Sequence, residues 1–558
     1  MNKTTEIAKT STKAGFNYLW GLVISTVISS IGTIYMGKVL GDNAYGLYTI
    51  AFTVPNLIML FRDWGINQAI IRYTAQCRAE NRETELRNIF ITGIVFEIII
   101  GLILSIISFL LSGYIATTIH GRPEIVTLIQ IASFSILANG LITVATAVFI
   151  GTEKTTYNST MLICQSTIKT SLMLSLVLTG FGTCGAVTGF TTASIIAGLL
   201  GITFTILLYY KLPKTVYKLK IKEYTKKLLT YSTPLSIATI LSGILAQFYI
   251  IILSHYHENN ALIGNYAMAQ TFVILIGFFA LPITNMLFPA FSKLDIKKDK
   301  IALKNVFQYS VKYTTLIIVP VTTLIMCLST PAVTTIFENN YGSAPLFLSL
   351  LAISYLFSAA GNLSINNIIN SQGKTSLCLK YTILTVAIGF PLGFLLIKYY
   401  SVFGLIFTSL CAPIPSLILS LIWIKKHYDL TINWISSAKI LLSAAITATL
   451  TYILEKYVLN TVIFQKVYTL STTFLNETFF NKLGYAITET WLNSAFALTI
   501  GTIFFIITFI TIIILTKTLS TRDINNLHDM TTGLGPITKI VHTILNIIEK
   551  IMKKLKLI

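Results

Sequence analysis

Apolar runs of about 20 residues follow one another along the whole chain, broken by short polar segments rich in Gly, Lys, Arg and Asn. A helix of that length rises about 30 Å, enough to cross the hydrocarbon core of a bilayer. The pattern predicts about fourteen spans. They fall at residues 14–36, 44–61, 89–111, 125–150, 158–180, 184–209, 231–254, 262–288, 307–329, 345–370, 377–398, 402–424, 438–459 and 491–516. The first run begins near Phe16, and no short apolar core with a small-residue cleavage site stands in front of it. It is therefore read as a permanent span and not as a signal peptide.

Composition agrees with the pattern. The 558 residues are 54% hydrophobic and 11% charged, with a mean hydropathy of +0.75. A water-facing surface needs roughly a quarter of its residues charged, so a soluble enzyme is excluded. The net charge of +20 would suit a nucleic-acid partner, but its placement argues otherwise. Loops after even-numbered spans hold Arg62, Arg72, Arg78, Arg82, Arg87 and Lys154, seven lysines from Lys211 to Lys227, five from Lys293 to Lys304, then Lys374, Lys425 and Lys426. The opposite loops hold only Lys38, Arg122, Lys398, Lys456, Lys466 and Lys482. By the positive-inside rule both termini are expected in the cytoplasm.

An internal repeat organises these spans. Gly46-Leu47-Tyr48 answers Gly264-Asn265-Tyr266 at a spacing of 218, and Leu57-Ile58 answers Leu275-Ile276 at the same spacing. The turn Gly151-Thr152-Glu153-Lys154 answers Ser371-Gln372-Gly373-Lys374 at 220, and Gly185 answers Gly404 at 219. A register held over so long a stretch predicts two six-helix lobes of like orientation, with a substrate path between them. The expected organisation is an N-lobe (1–215), a C-lobe (216–430), two appended spans (431–517) and a cytoplasmic amphipathic tail (518–558).

Candidate chemistry lies inside the spans. Asn17, Gly21, Ser25, Ser29 and Gly32 form a small or polar stripe on span one, and Ser232, Ser236, Thr239, Gly243 and Gln247 form another on span seven. Small residues permit close helix packing. A stripe kept on the same face in both lobes, and an amide costly to bury in lipid, point to cavity lining; Gln270 in span eight is a further candidate. Lys169 stands eleven residues into span five, roughly 16 Å deep, and Glu97 in span three lies at similar depth. Intramembrane charges generally face a bundle interior or a watery cavity. Two readings stay open: a Glu97–Lys169 pair that locks the lobe, or a cavity cation for an anionic substrate with Glu97 as its resting partner or a proton carrier. Lys312 and Arg72 belong to the cytoplasmic edge. Arg62-Asp63-Trp64-Gly65 closes span two, either as a helix cap or as the cytoplasmic mouth of the path.

Several resemblances to enzyme motifs fail on spacing. Gly373-Lys374-Thr375 lacks the earlier glycine of a phosphate loop, because position 368 is Ile; His257-Glu258 lacks its second histidine, which would fall at Ala261. The six cysteines show no Cys-x-x-Cys spacing and read as core fillers. No metal, cofactor or nucleophile–base arrangement is expected.

Lys38-Val39-Leu40-Gly41-Asp42-Asn43-Ala44-Tyr45-Gly46-Leu47-Tyr48, followed by Asp63-Trp64-Gly65-Ile66-Asn67-Gln68-Ala69-Ile70-Ile71-Arg72-Tyr73, resembles the opening of the polysaccharide exporters of the multidrug/oligosaccharidyl-lipid/polysaccharide (MOP) superfamily. The basic turns at Lys154 and Lys374 are similar to that family's, and the likeness covers residues 10–430. It implies a two-lobed bundle that flips a lipid-linked oligosaccharide from the cytoplasmic to the outer leaflet of a prokaryotic plasma membrane. It also implies cationic cavity residues for the phosphate, with Lys169 the best candidate, and it leaves room for a coupling ion. Two alternatives remain. A multidrug or small-cation antiporter would want an acidic pocket, and a membrane glycan polymerase or transferase would need the outer segment 460–490. In the tail, Ile537, Val541, Ile544, Ile548, Ile551, Leu555 and Ile558 recur at helical spacing with Lys539, Lys550, Lys553, Lys554 and Lys556 off the stripe. This predicts a helix lying on anionic lipids of the inner leaflet, or one docked on the protein's own cytoplasmic face.

Overall fold

The computed structural model describes residues 3–80, 82–212, 221–292, 299–372, 374–459 and 488–520, together with 523–526, 528 and scattered positions from 542 to 552. These residues are helical throughout, without strands among them. In chain order the helices are α1 (Lys3–Asp63), α2 (Ile66–Ala79), α3 (Glu83–Tyr114), α4 (Val126–Gly151), α5 (Thr155–Leu176), α6 (Gly182–Tyr210), α7 (Ile221–Tyr256) and α8 (Asn260–Ser292). Then follow α9 (Lys300–Cys327), α10 (Ser329–Phe337), α11 (Ala344–Leu356), α12 (Asn362–Ser371), α13 (Thr375–Cys411), α14 (Ile414–Tyr428), α15 (Trp434–Ile453) and α16 (Glu489–Leu515).

Among the described residues, ten helical stretches are long and apolar enough to cross a membrane, or eleven if the pair Ala344–Ala360 and Asn362–Ser371, bent by 56°, counts as one. Three of them run 43, 56 and 53 residues, about twice what a 30 Å core requires. Each contains backbone outside the helical region: Gly41 (φ 75°), Gly180 (φ 93°) and Ser401 (φ 52°). These breaks fall where the hydropathy pattern separates spans one from two, five from six and eleven from twelve. The reading of fourteen spans counts each long stretch as two.

The membrane part of α3 is inside-out relative to a helix of a soluble bundle. Along α3 the buried face carries Glu97, Gly101, Ser105, Ser108 and Ser112, while Ile99, Leu102, Ile103, Ile106 and Leu110 are exposed. In lipid the apolar face needs no cover, and polar groups turn inward to find partners. Ser133 on α4 donates to Ser108 at 2.7 Å, and Ser105 accepts from the Leu137 amide at 3.2 Å. Many remaining hydroxyls return to the carbonyl four residues earlier, as Thr49, Thr315 and Thr447 do.

The chain forms two compact units, Met1–Thr271 with Thr375–Ser416, and Phe272–Lys374 with Leu417–Ile558. In the first, α1 packs tightly on α5: a Cβ at Gly21 would collide with Ser159 and one at Gly32 with Thr170. A second seam in this unit joins repeat-related positions. A Cβ at Gly46 would strike the Asn260 carbonyl, and one at Gly264 would strike the Asp42 carbonyl. Positions 42 and 260, like 46 and 264, are separated by 218 residues. The contact is thus reciprocal, as expected for two copies meeting across a local two-fold.

In the second unit, Val319, Ala359, Ile440, Ala444, Phe505, Phe509 and Ile513 build one cluster, which Leu519, Ile524, Leu545 and Met552 of the tail complete. The tail's predicted apolar stripe lies outside the described residues; Leu545 and Met552, which are not part of that stripe, are seated in this core. Asp523 anchors the junction. It is 2% exposed, accepts from Lys312 Nζ at 2.7 Å and from Tyr313 Oη at 3.3 Å, and caps Ser520 N at 2.8 Å. Burial alone would raise its carboxyl, but the hydrogen bonds from Lys312 and Ser520 outweigh it and hold the group below the usual carboxylate value. A carboxyl lowered by folding stabilises the docked tail above its free value, and that stability is lost as pH falls through the lowered one. Asp523→Ala is expected to weaken docking by about 1.5–3 kcal/mol, seen as faster tryptic cleavage after Lys517.

Candidate functional site

The segment Arg62-Asp63-Trp64-Gly65 ends α1 in an abrupt turn. Trp64 (φ 43°) and Gly65 (φ 73°) both adopt left-handed backbone, which stops the helix and starts α2 with Gln68 N bonded to Gly65 O at 3.0 Å. The turn leaves Arg62 in the last turn of α1, 5% exposed. Its Nη1 donates to Glu97 Oε2 at 2.9 Å and to Thr143 Oγ1 at 2.8 Å. Glu97, fully buried, accepts at its other oxygen from Asn67 Nδ2 at 2.9 Å. Three helices, α1, α3 and α4, and the start of α2 therefore converge on one carboxylate–guanidinium pair.

Arg62 also lines a cavity of about 450 Å³ with Trp64, Gly65 and Gln68 on one wall and Ser236 and Thr239 of α7 on another. Its Nε is buried without an acceptor among the described residues. Nη1 of the guanidinium is thus held by Glu97 and Thr143, while the neighbouring Nε donor is buried and unsatisfied among the described residues. In the same unit Arg78 bonds the Thr152 carbonyl and Arg87 Nη2 bonds the Leu212 carbonyl at 2.6 Å.

Lys169 does not meet Glu97. Its Nζ donates to Ser29 Oγ at 2.8 Å, lies 3.5 Å from Thr33 Oγ1 and sits 5.5 Å from the centre of the Phe190 ring. The Glu97–Lys169 pair is therefore corrected: Arg62, in the last turn of α1, takes the carboxylate, and Lys169 is left with hydroxyl and aromatic neighbours. Of the span-one stripe, Ser25 is buried and donates to Leu22 O at 3.0 Å, and Ser29 holds Lys169. Gly21 and Gly32 form the α1–α5 seam, so this stripe combines packing with a lysine contact. On α7, Ser236 and Thr239 reach the Arg62 cavity, whereas Gly243 packs on Leu60 and Gln247 is half-buried. Gln270 donates to Tyr266 Oη at 2.7 Å. Arg72 is exposed and lies over the Tyr73 ring. Lys312 belongs to the Asp523 junction of the second unit. The side chains of Asn17 and Asp63 lie outside the described residues. Asn67 and Thr143 escaped the sequence reading; a buried carboxylate needs more than one donor, and that need was the only available signal.

Residues 11–295, a little over half of the chain, match the family model described as polysaccharide biosynthesis protein. An uncharacterized membrane protein of Methanocaldococcus jannaschii is 22% identical over 409 residues, covering 70% of this chain and 80% of that protein. The lipid II flippase MurJ, in an inward closed conformation, aligns with a TM-score of 0.64 at 16% identity, over 88% of this chain and 97% of its own. A multidrug resistance MATE family transporter of the MOP superfamily, inward-facing, aligns at 0.60 with 14% identity, over 74% and 98%. A MOP superfamily transporter from Pyrococcus furiosus, described as having a binding pocket of reverse polarity, aligns at 0.55 with 15% identity, over 75% and 96%. At these identities the structures establish the fold, and the family model establishes descent. The chain belongs to the polysaccharide biosynthesis protein family and is a polytopic membrane protein with the MOP-superfamily fold.

Proposed function

We propose that this protein flips a lipid-linked oligosaccharide from the cytoplasmic to the outer leaflet of a prokaryotic plasma membrane, with both termini cytoplasmic. The observation that carries the reading is the buried Arg62 at a cavity wall, one edge held by Glu97 and Thr143 and the Nε donor unsatisfied. A guanidinium with a spare edge is suited to the phosphate that links glycan to lipid. Ser236, Thr239 and Gln68 beside it offer hydrogen bonds to sugar hydroxyls. A glycan crossing bare hydrocarbon would forfeit such bonds at about 2–7 kcal/mol each, whereas a polar path lets the lipid tail stay in the bilayer. The duplicated lobes 1–215 and 216–430 supply the two halves that alternate in access, and Lys169 is a second cation along the path. An antiporter for cationic compounds is less well supported, because Glu97 is already engaged by Arg62 and Asn67.

Purified protein in liposomes is expected to move a fluorescently labelled lipid-linked oligosaccharide between leaflets. Efflux of a cationic dye with no movement of the labelled lipid would overturn the reading in favour of the antiporter.

A further inference from the structure

At the end of the first unit opposite the basic loops, α3 runs through a π-helical turn at Ile115–Ile119 into His120-Gly121-Arg122-Pro123. Arg122 is 5% exposed, and its guanidinium is spent on the α7–α8 corner. Nε donates to Asn260 Oδ1 at 2.7 Å, Nη1 to Ser254 O at 2.6 Å and to His120 O at 2.9 Å, and Nη2 to His257 O at 3.0 Å. The arginine thereby caps the carbonyl end of α7, where a cation is favoured. Asn260, held by Arg122, is also the residue whose carbonyl seats on Gly46 in the reciprocal seam, and Asn265 Nδ2 donates to Asp42 Oδ2 across the same seam at 3.1 Å. One side chain therefore ties the α3–α4 turn to the place where the two repeat copies touch.

We propose that Arg122 is a positioning residue that bolts an outer gate, holding the Gly46–Gly264 seam shut until the substrate path opens to the outer face. The proposal rests on the flippase reading above and adds to it the element that keeps the exit closed.

His120 sits against the bolt. Its Nδ1 lies 2.7 Å from Ser254 Oγ, and that hydroxyl gives its hydrogen to Ile251 O at 2.9 Å. Nδ1 is therefore the donor, and Nε2 carries the lone pair, buried and without a partner among the described residues. The ionisable groups around it are Arg122 and Glu124 on its own segment, His255, His257 and Glu258 on the α7–α8 corner, and Lys398 of α13, which lies over the Tyr256 ring. Burial first, then the charges of Arg122 and His255, push the imidazole down to about 4. A base lowered by folding keeps the gate intact above its free value and weakens it as pH falls toward the lowered one. The bolt should thus hold at neutral pH and loosen progressively as pH falls from the free value of 6.5 toward about 4.

The test uses the full chain with its native cysteines replaced, and Ala267→Cys beneath the seam as reporter for a membrane-impermeant maleimide added outside. Arg122→Ala is expected to raise labelling about tenfold or more, the change that follows when a hydrogen bond to a charged group is lost. Asn260→Ala, which removes only the Nε acceptor, should raise it by less. It keeps the test open should Arg122→Ala fail to fold. Unchanged labelling in both folded variants overturns the bolt. A disulfide across the seam, from Asp42→Cys with Asn265→Cys, should arrest transport until reduced. If the locked protein still transports, the alternating-access reading itself falls, and the two failures are told apart.

Discussion

Glu97→Ala is expected to lower the stability of the purified protein by about 3–5 kcal/mol. The carboxylate is fully buried and receives Arg62 at 2.9 Å and Asn67 at 2.9 Å. Removing it strands a guanidinium whose remaining acceptor among the described residues is the Thr143 hydroxyl, and an unpaired charge in an apolar interior carries most of that cost. Thermal unfolding in detergent would read the loss. The double variant Arg62→Met with Glu97→Leu should regain much of it, since replacing a buried pair with apolar groups is often close to neutral. The same double variant should still fail to flip its substrate, because the guanidinium edge at the cavity is gone. Recovery of transport together with stability would show that the pair serves the fold alone.

Lys169→Met is expected to have the opposite signature: transport falls by about 10–100-fold, the equivalent of one charge-assisted hydrogen bond to a phosphate, while thermal stability is unchanged or higher. The ammonium is met by two hydroxyls and an aromatic ring, not by a carboxylate. An ion so placed contributes little to folding and is costly to keep from water. Lys169→Arg, which preserves the charge, should retain part of the transport. Normal transport by the methionine variant at normal expression would remove Lys169 from the substrate path.

Much of this was legible along the chain because a bilayer imposes a one-dimensional requirement. Twenty apolar residues in succession must cross it or be hidden from water, so the helical fold and membrane class followed from hydropathy. The repeat was legible for a related reason. Gly46 and Gly264 recur at 218 residues because each must let the other copy's backbone approach. The buried charges were found as single positions, since an ionisable residue in an apolar run stands out by type.

Partnership among those charges was decided only in three dimensions. Depth along the chain offered Glu97 to Lys169 and left Arg62 at the end of span two; the packing of α1 on α3 gives the carboxylate to Arg62, and the left-handed turn at Trp64 and Gly65 brings Asn67 of α2 to its other oxygen. Lys312 finds Asp523 from 211 residues away. Arg122 appeared in the sequence as an isolated outer basic residue, and the structure makes it the link between three segments. Hydropathy is a property of each residue and can be summed along a chain, whereas an ion pair depends on where two side chains point. The sequence by itself therefore determined which stretches are apolar enough to cross a membrane and which of their residues are charged; the tertiary structure decided which charges are neutralised, because only the packed helices set the distances between them.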